Sequence, residues 1–162
     1  MNKQKGFTLV ELLVVIAIIA VLAGAVLIAI NPVAMMQKSR DAKRLSDLDQ
    51  LRTALHLGLV DGEVTLTAMA APVTSSGGTQ AINGTGWVRY TIPTGKTGLS
   101  KYLPTLPVDP LNTGTNVYTY ESTLTDFEID TLLESTDNAT KMSTDGGNSA
   151  TTYEVGTNLT II

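Results

Sequence analysis

The sequence has few of the residues on which most catalytic and metal-binding sites depend. It contains no cysteine and one histidine, His56, so disulfide bonds and thiolate metal sites are excluded. The net charge of −4 argues against a nucleic-acid binder with a basic surface. No side-chain cluster pairs a nucleophile with a base. We therefore expect no enzyme, no catalytic residue, no metal site and no cofactor, and we expect His56 to be solvated or to lie at an interface.

Charge is almost absent from the N-terminal stretch. Between Phe7 and Ile30 the only ionisable side chain is Glu11. At about 1.5 Å per residue this stretch is long enough to span the hydrocarbon core of roughly 30 Å. A carboxylate at the centre of a membrane costs about 2.5–3.5 kcal/mol, and such a residue is by default a functional one. The sequence therefore singles out Glu11.

Two roles are open for this glutamate. Thr8 and Glu11 have the spacing of a capping box, in which the two residues satisfy each other's backbone N–H groups. The positive end of the helix dipole also favours a carboxylate at this position. The other role is to pair with a cation of a second chain. The two roles are compatible, because local capping could stabilise Glu11 before a partner arrives.

The segment around Gly6 and Phe7 carries a family resemblance. A short leader with Lys3 and Lys5 precedes Gly6-Phe7-Thr8-Leu9-Val10-Glu11 and the apolar run. This pattern resembles the class III signal of type IV pilins and of the related pseudopilins of type II secretion. The resemblance implies that a prepilin peptidase cuts between Gly6 and Phe7 and that Phe7 is then N-methylated. It also implies that Glu11 is the assembly carboxylate.

Such a cleavage would give Glu11 a partner. It creates an α-amino group on Phe7 with a pKa near 7.7–8.0, and a methylated amine stays basic. If the Phe7 amine pairs with Glu11 of a neighbouring subunit, neither charge is left buried alone. Such pairing would set the axial register of a helical homo-oligomer. Most of the packing would come from apolar side chains of the same helix, namely Leu12, Val15, Ile16, Ile19 and Leu22.

The rest of the chain predicts an α+β fold with a long N-terminal helix packed on a small antiparallel sheet. Asn31-Pro32 should break or kink the helix, and leucines at three- and four-residue spacing then indicate an amphipathic helix. The charged run 40–44 is expected to face solvent or another subunit. The predicted segments are a leader at 1–6, a membrane or filament-core helix at 7–36, an amphipathic helix at 37–60 and a β-rich head at 61–162.

Strand signals in the head are short. Alternation of β-favouring residues predicts strands in five segments, which are 87–92, 117–120, 127–132, 153–155 and 159–161. Residues 71–86 have the composition of a surface loop. The segment Leu106-Pro107-Val108-Asp109-Pro110 resembles the turn that precedes two sheet strands in the major pseudopilins.

Together these features predict a structural subunit of a type IV pilus. A pseudopilin of a type II secretion or DNA-uptake system is the alternative, and a plain membrane-anchored extracytoplasmic domain is a weaker one. Lys3 and Lys5 favour a cytoplasmic N-terminus, so the chain should cross the cytoplasmic membrane once with its head outside. It would then enter an extracellular pilus or a periplasmic pseudopilus. The expected partners are further copies of the chain, prepilin peptidase, the assembly machinery and, before assembly, membrane lipid; no specific nucleic acid is expected.

Overall fold

The computed structural model describes residues 6–162, without the side chains of residues 28 and 29. It divides into two compact units, Met1–Met36 and Gln37–Ile162. The larger unit combines helices with small antiparallel sheets, and the predicted α+β fold class is confirmed.

The first unit contains helix α1, Leu9–Ile30. The helix ends at Ile30, and the C-cap residue Asn31 adopts a left-handed conformation with φ of 45°. The Asn31 side-chain oxygen accepts a hydrogen bond from the backbone N–H of Ala34 at 3.3 Å, and helix α2 begins at Pro32. Proline fits the first turn of a helix because its missing N–H would have no partner there. The expected helix break therefore occurs at Asn31.

Helix α2, Pro32–Val60, carries one face of the core in the second unit. Leu48, Leu51, Ala54 and Leu55 are buried on it, at the three- and four-residue spacing of an amphipathic helix. They pack in one cluster with large side chains of the sheet and the loops, among them Trp87, Tyr118, Tyr120, Phe127 and Ile129.

The sheets are small and antiparallel. Strands β1 (Thr65–Leu66) and β3 (Tyr90–Thr91) form one pair. The larger sheet has the order β2-β4-β5-β6, with strands Val73–Thr74, Tyr118–Ser122, Phe127–Thr131 and Tyr153–Gly156. Between the last two strands lies helix α3, Ala139–Thr144, and short 3₁₀ turns occupy Gly98–Lys101 and Thr136–Asn138.

Three expectations about strands are wrong. The segment 87–92 is a strand only at Tyr90–Thr91, because the buried Trp87 bonds through its backbone N–H to the Thr79 carbonyl instead of to a sheet ladder. Residues 159–161 form no strand, since the Ile161 N–H donates to the side chain of Glu128. Within the expected loop 71–86, Val73–Thr74 forms strand β2 by pairing with β4.

The expectation that the charged run 40–44 faces solvent or another subunit is wrong for Asp41 and Arg44, which are both fully buried. Arg44 lies 2.6 Å from Asp109, 3.0 Å from Asp41 and 2.6 Å from Glu134. Burial of a charge is tolerable when it is paired and hydrogen-bonded. The partners of Arg44 come mostly from distant parts of the chain, so the local charge pattern does not reveal the burial.

Candidate functional site

The N-terminus of α1 holds Glu11 in a capping box. Thr8 is the N-cap residue, and its side-chain oxygen accepts a hydrogen bond from the Glu11 N–H at 3.2 Å. In return, the Thr8 N–H donates to Glu11 Oε2 at 2.8 Å, and the Thr8 hydroxyl donates to the same oxygen at 2.7 Å. The capping that the sequence predicts is thus confirmed. Glu11 is exposed, although two donors of Thr8 already contact its carboxylate.

The junction between Gly6 and Phe7 lies just outside this cap. Phe7 is 84% exposed, and a Cβ atom built at Gly6 would meet nothing within 4 Å. No described residue therefore crowds Gly6 or the Phe7 side chain. The basic leader residues Lys3 and Lys5 lie outside the described residues.

The surface of α1 behind the cap is apolar on every side. Residues Leu9–Leu27 have a mean hydropathy of 2.9, and none of them is buried. By length and composition this helix could cross a membrane. A soluble core helix of the same composition would be buried inside its own chain, which this one is not. Such a surface needs a cover of lipid or protein.

The side chains expected to pack the helix lie together on one face. Along the helix, each of these five residues follows the one before it by three, one, three and three positions. At about 100° per residue, these steps place all five within about a third of the helix circumference. Their exposure ranges from 46% to 60%, so all of them are accessible to another helix. This set comprises Leu12, Val15, Ile16, Ile19 and Leu22.

His56 is not part of this site. It is exposed on α2, and its ring lies edge-on to Phe127 with 5.3 Å between ring centroids. In the part of the chain that the structure describes, no group of three or more His, Cys, Asp and Glu side chains is arranged to hold a metal ion. Chemically, the N-terminal site can offer one carboxylate and an apolar surface, which suits binding rather than catalysis.

The sequence does not predict the buried polar cluster around Arg44. This cluster fixes α2 to the loop that contains Asp109 and to the segment after β5 that contains Glu134. The i, i+3 spacing of Asp41 and Arg44 was the one local signal for an ion pair. That spacing is equally common on exposed helix faces, so it could not distinguish a buried cluster from a surface one.

Comparison with known proteins adds a family signal at the same end of the chain. Residues 1–27 match the family model described as the prokaryotic N-terminal methylation motif. Fimbrial protein Q of Moraxella bovis is 37% identical over 90 residues, which cover 51% of this chain and 56% of that protein. No solved structure matches the chain significantly.

Two further relatives match over a shorter stretch. The type IV major fimbrial protein FimA of Dichelobacter nodosus is 47% identical over 64 residues, which cover 37% of each chain. The type IV major alpha-pilin of Moraxella bovis is 41% identical over 63 residues, which cover 39% of this chain and 38% of that protein. The chain thus spans little more than half of the first relative and less than two fifths of the other two.

Proposed function

We propose that this chain, whose methylation motif and fimbrial relatives support membership of the type IV pilin family, is a structural subunit of a type IV pilus. The observation that carries the proposal is Glu11, the one carboxylate on an apolar helix that no described residue of its own unit covers. The fimbrial relatives favour a pilus over the pseudopilus that the sequence also allowed.

Processing is the first step of the proposed function. Prepilin peptidase cuts between Gly6 and Phe7, where no described residue crowds Gly6 or the Phe7 side chain. The cut removes the basic leader and leaves Phe7 as the new N-terminal residue. N-methylation of Phe7 keeps its amine basic, so the mature chain begins with a cation four residues before Glu11.

Assembly then follows from the cost of unpaired charge. Before assembly the chain crosses the cytoplasmic membrane once, and the hydrogen bonds from Thr8 stabilise the Glu11 carboxylate. In the filament, Glu11 of one subunit pairs with the Phe7 amine of a neighbour, which removes two unpaired charges from the apolar interior. The face that contains Leu12, Ile16 and Ile19 packs against neighbouring helices and contributes most of the buried area.

The head of each subunit lies outside the membrane throughout. Once α1 has left the bilayer for the filament core, the assembly machinery releases the subunit into an extracellular pilus. The contact from Glu11 of one subunit to Phe7 of the next joins two different surfaces of the same protein. When such a contact repeats and does not close into a ring, the subunits form a helical filament.

The variant Glu11→Gln tests the role of the charge. A glutamine still accepts hydrogen bonds from Thr8 but cannot form an ion pair, so capping is retained and pairing is lost. We expect processed, membrane-inserted monomer and no surface filaments by electron microscopy. The conservative variant Val10→Ala on the same turn is the control and should still assemble. Filaments of Glu11→Gln in wild-type amounts would refute the proposed pairing.

The mature N-terminus tests the processing step independently. Mass spectrometry of purified subunits should show a chain that begins with methylated Phe7. A mature chain that begins at any other residue would rule out cleavage after Gly6.

A further inference from the structure

Three acidic side chains are buried together on the face of the larger sheet that lies away from α2. Strand β5 contributes Glu128 and Asp130, which are 0% and 8% exposed, and β6 contributes Glu154, which is 3% exposed. Asp130 and Glu154 are direct partners in the ladder between these strands. Partners of this kind lie on the same face with their Cβ atoms about 4.5–5.5 Å apart.

Two of these carboxyl groups accept backbone hydrogen bonds from the C-terminal part of the described chain. Glu128 Oε2 accepts hydrogen bonds from the N–H groups of Ile161 and Ile162 at 2.6 and 2.9 Å. Glu154 Oε2 accepts one from the Ser149 N–H at 3.0 Å. Glu128 of β5 thus attaches the C-terminal end of segment 145–162. Glu154, which belongs to this segment through β6, holds the loop before β6 against that strand. We call segment 145–162 the C-terminal clasp.

The cluster lacks positive partners. Among the residues described, none of the ion pairs includes Glu128, Asp130 or Glu154. Two of the buried oxygens, Glu128 Oε1 and Asp130 Oδ1, have no hydrogen-bond partner. A buried carboxylate with neither a counter-ion nor a full set of donors is strongly disfavoured.

The surrounding elements add further negative charge. On β4, Glu121 is the ladder partner of Glu128. Asp145, at the end of α3, accepts the backbone N–H of Glu154 at 2.8 Å. The charged residue of α3 is Lys141, which is exposed. Among the residues that the structure describes, no basic side chain therefore neutralises these carboxyl groups.

We propose that Glu128, Asp130 and Glu154 form a buried proton-binding site, and that protons on Asp130 and Glu154 keep the C-terminal clasp closed. A protonated Glu154 can donate a hydrogen bond to the Glu128 carboxylate, which turns a repulsion into an attraction. A proton on Asp130 removes the charge from an oxygen that has no donor. The proposal does not depend on the assembly role of Glu11.

The acidities of these groups agree with the geometry. Burial and the nearby Glu128 and Glu154 raise the pKa of Asp130 to about 7. Burial and a hydrogen bond with Glu128 raise the pKa of Glu154 to about 7. With the clasp open, both groups return towards ordinary carboxyl values near 4. The closed state binds protons more tightly, so the closed clasp loses stability as pH rises from about 4 to about 7 and changes little above that.

Hydrogen exchange of the full chain in detergent micelles tests the proposal without any need for filaments. Protection factors, corrected for the intrinsic pH dependence of exchange, are compared at about pH 5 and about pH 8 for amides 153–162. We expect wild-type protection to fall by about tenfold or more, as a shift of more than one pKa unit requires. The double variant Asp130→Asn, Glu154→Gln mimics the protonated state and should keep its protection at both pH values. The control Asp126→Asn, at the hairpin before β5, should behave like the wild type.

Two further measurements keep the result interpretable. Carboxyl carbon NMR shifts of the wild type should show Asp130 and Glu154 titrating near neutral pH, so the proposal can be judged even if the double variant does not fold. Titration of both groups near pH 4, or protection that does not depend on pH, would overturn it. The same holds if a chelator alone opens the clasp at about pH 5, because a metal ion and not a proton would then be the ligand.

Discussion

Arg44 of α2 and Asp109 of the loop before β4 form a fully buried, bidentate ion pair. Arg44 Nε lies 2.6 Å from Asp109 Oδ2, and Arg44 Nη2 lies 3.1 Å from Asp109 Oδ1. Fork-like pairs of this kind fix both distance and orientation. Asp109 also accepts the backbone N–H groups of Leu111 and Asn112, so the one carboxylate ties the helix to the shape of the loop.

The variant Arg44→Met should strongly destabilise the head. It leaves the buried carboxylates of Asp41 and Asp109 without their shared cation, and it leaves the partly buried Glu134 with Arg40 as its remaining partner. Removal of one partner from a buried pair typically costs about 3–5 kcal/mol of the free energy of unfolding. Urea unfolding followed by the fluorescence of Trp87, which is fully buried, measures the change.

Arg52 provides the matched control on the same helix. Its pair with Asp49 has the same short distance of 2.6 Å but is largely exposed. The variant Arg52→Met should therefore change the free energy of unfolding by about 1 kcal/mol or less. Equal losses for the two variants would mean that burial does not decide the energy of these pairs.

Tyr118 offers a second comparison of a buried with an exposed contact. Its hydroxyl donates to Asp47 at 2.9 Å in the core, and burial together with Asp47 raises its pKa. The variant Tyr118→Phe removes a hydrogen bond to a charged acceptor and should cost about 1.5–3 kcal/mol. Tyr102→Phe removes the more exposed hydrogen bond to Asp61 and should cost less than Tyr118→Phe, because water screens and replaces an exposed hydrogen bond. Chemical unfolding of both variants checks the order, and a reversed order would contradict it.

Local patterns explain which features could be predicted from the sequence. Each of the features predicted correctly depends on residues a few positions apart. These features are the Thr8–Glu11 cap, the apolar helix α1, the break at Asn31 and strands β4 and β5. Hydrophobic periodicity and capping chemistry report on such short-range structure directly. For the same reason the sequence alone predicts the capping of Glu11 at the N-terminal candidate site.

The features that were missed depend on residues far apart in the chain. Arg44 is buried because Asp109 and Glu134 approach it across 65 and 90 positions, and nothing near Arg44 specifies that. Likewise, Glu128 and Asp130 alternate with apolar residues on β5, which is typical of a sheet with one solvated face, yet both are buried and Glu128 contacts Ile161. Tertiary context decides burial in both cases, and the local alternation of polar and apolar residues cannot reveal it.

Gly86 marks a close approach of backbone that no other residue should tolerate. A Cβ atom there would lie 2.2 Å from the Ala81 carbonyl oxygen and 2.6 Å from Leu106 Cδ1. The variant Gly86→Ala should therefore cost about 1–3 kcal/mol or more through overpacking. Gly77→Ala is the control, since its nearest neighbour would be the flexible side-chain oxygen of Thr74 at 3.3 Å. Thermal unfolding of the two variants measures the difference, and an unaffected Gly86→Ala would show that the loop can relax.

Acid should weaken the head through Glu63, in a pH range distinct from that of the C-terminal clasp. The Glu63 carboxylate accepts the Thr97 N–H at 2.9 Å and lies 3.1 Å from Lys101 Nζ. These contacts lower the pKa of Glu63 to about 2 from its ordinary value of 4.5.

The sign of this pH effect is opposite to that of Asp130. Because the folded state holds the Glu63 proton less tightly than the unfolded state, the stabilisation is fully present above about pH 4.5 and is lost as pH falls towards about 2. The unfolding temperature of the wild type should therefore fall across that interval, and Glu63→Gln should show a smaller fall. Asp126→Asn serves as the control and should follow the wild type. If Glu63→Gln lost stability between pH 2 and 4.5 as steeply as the wild type, the acid response would have to come from other carboxylates. Glu134 is then the first to test, because Arg40 and Arg44 lower its pKa.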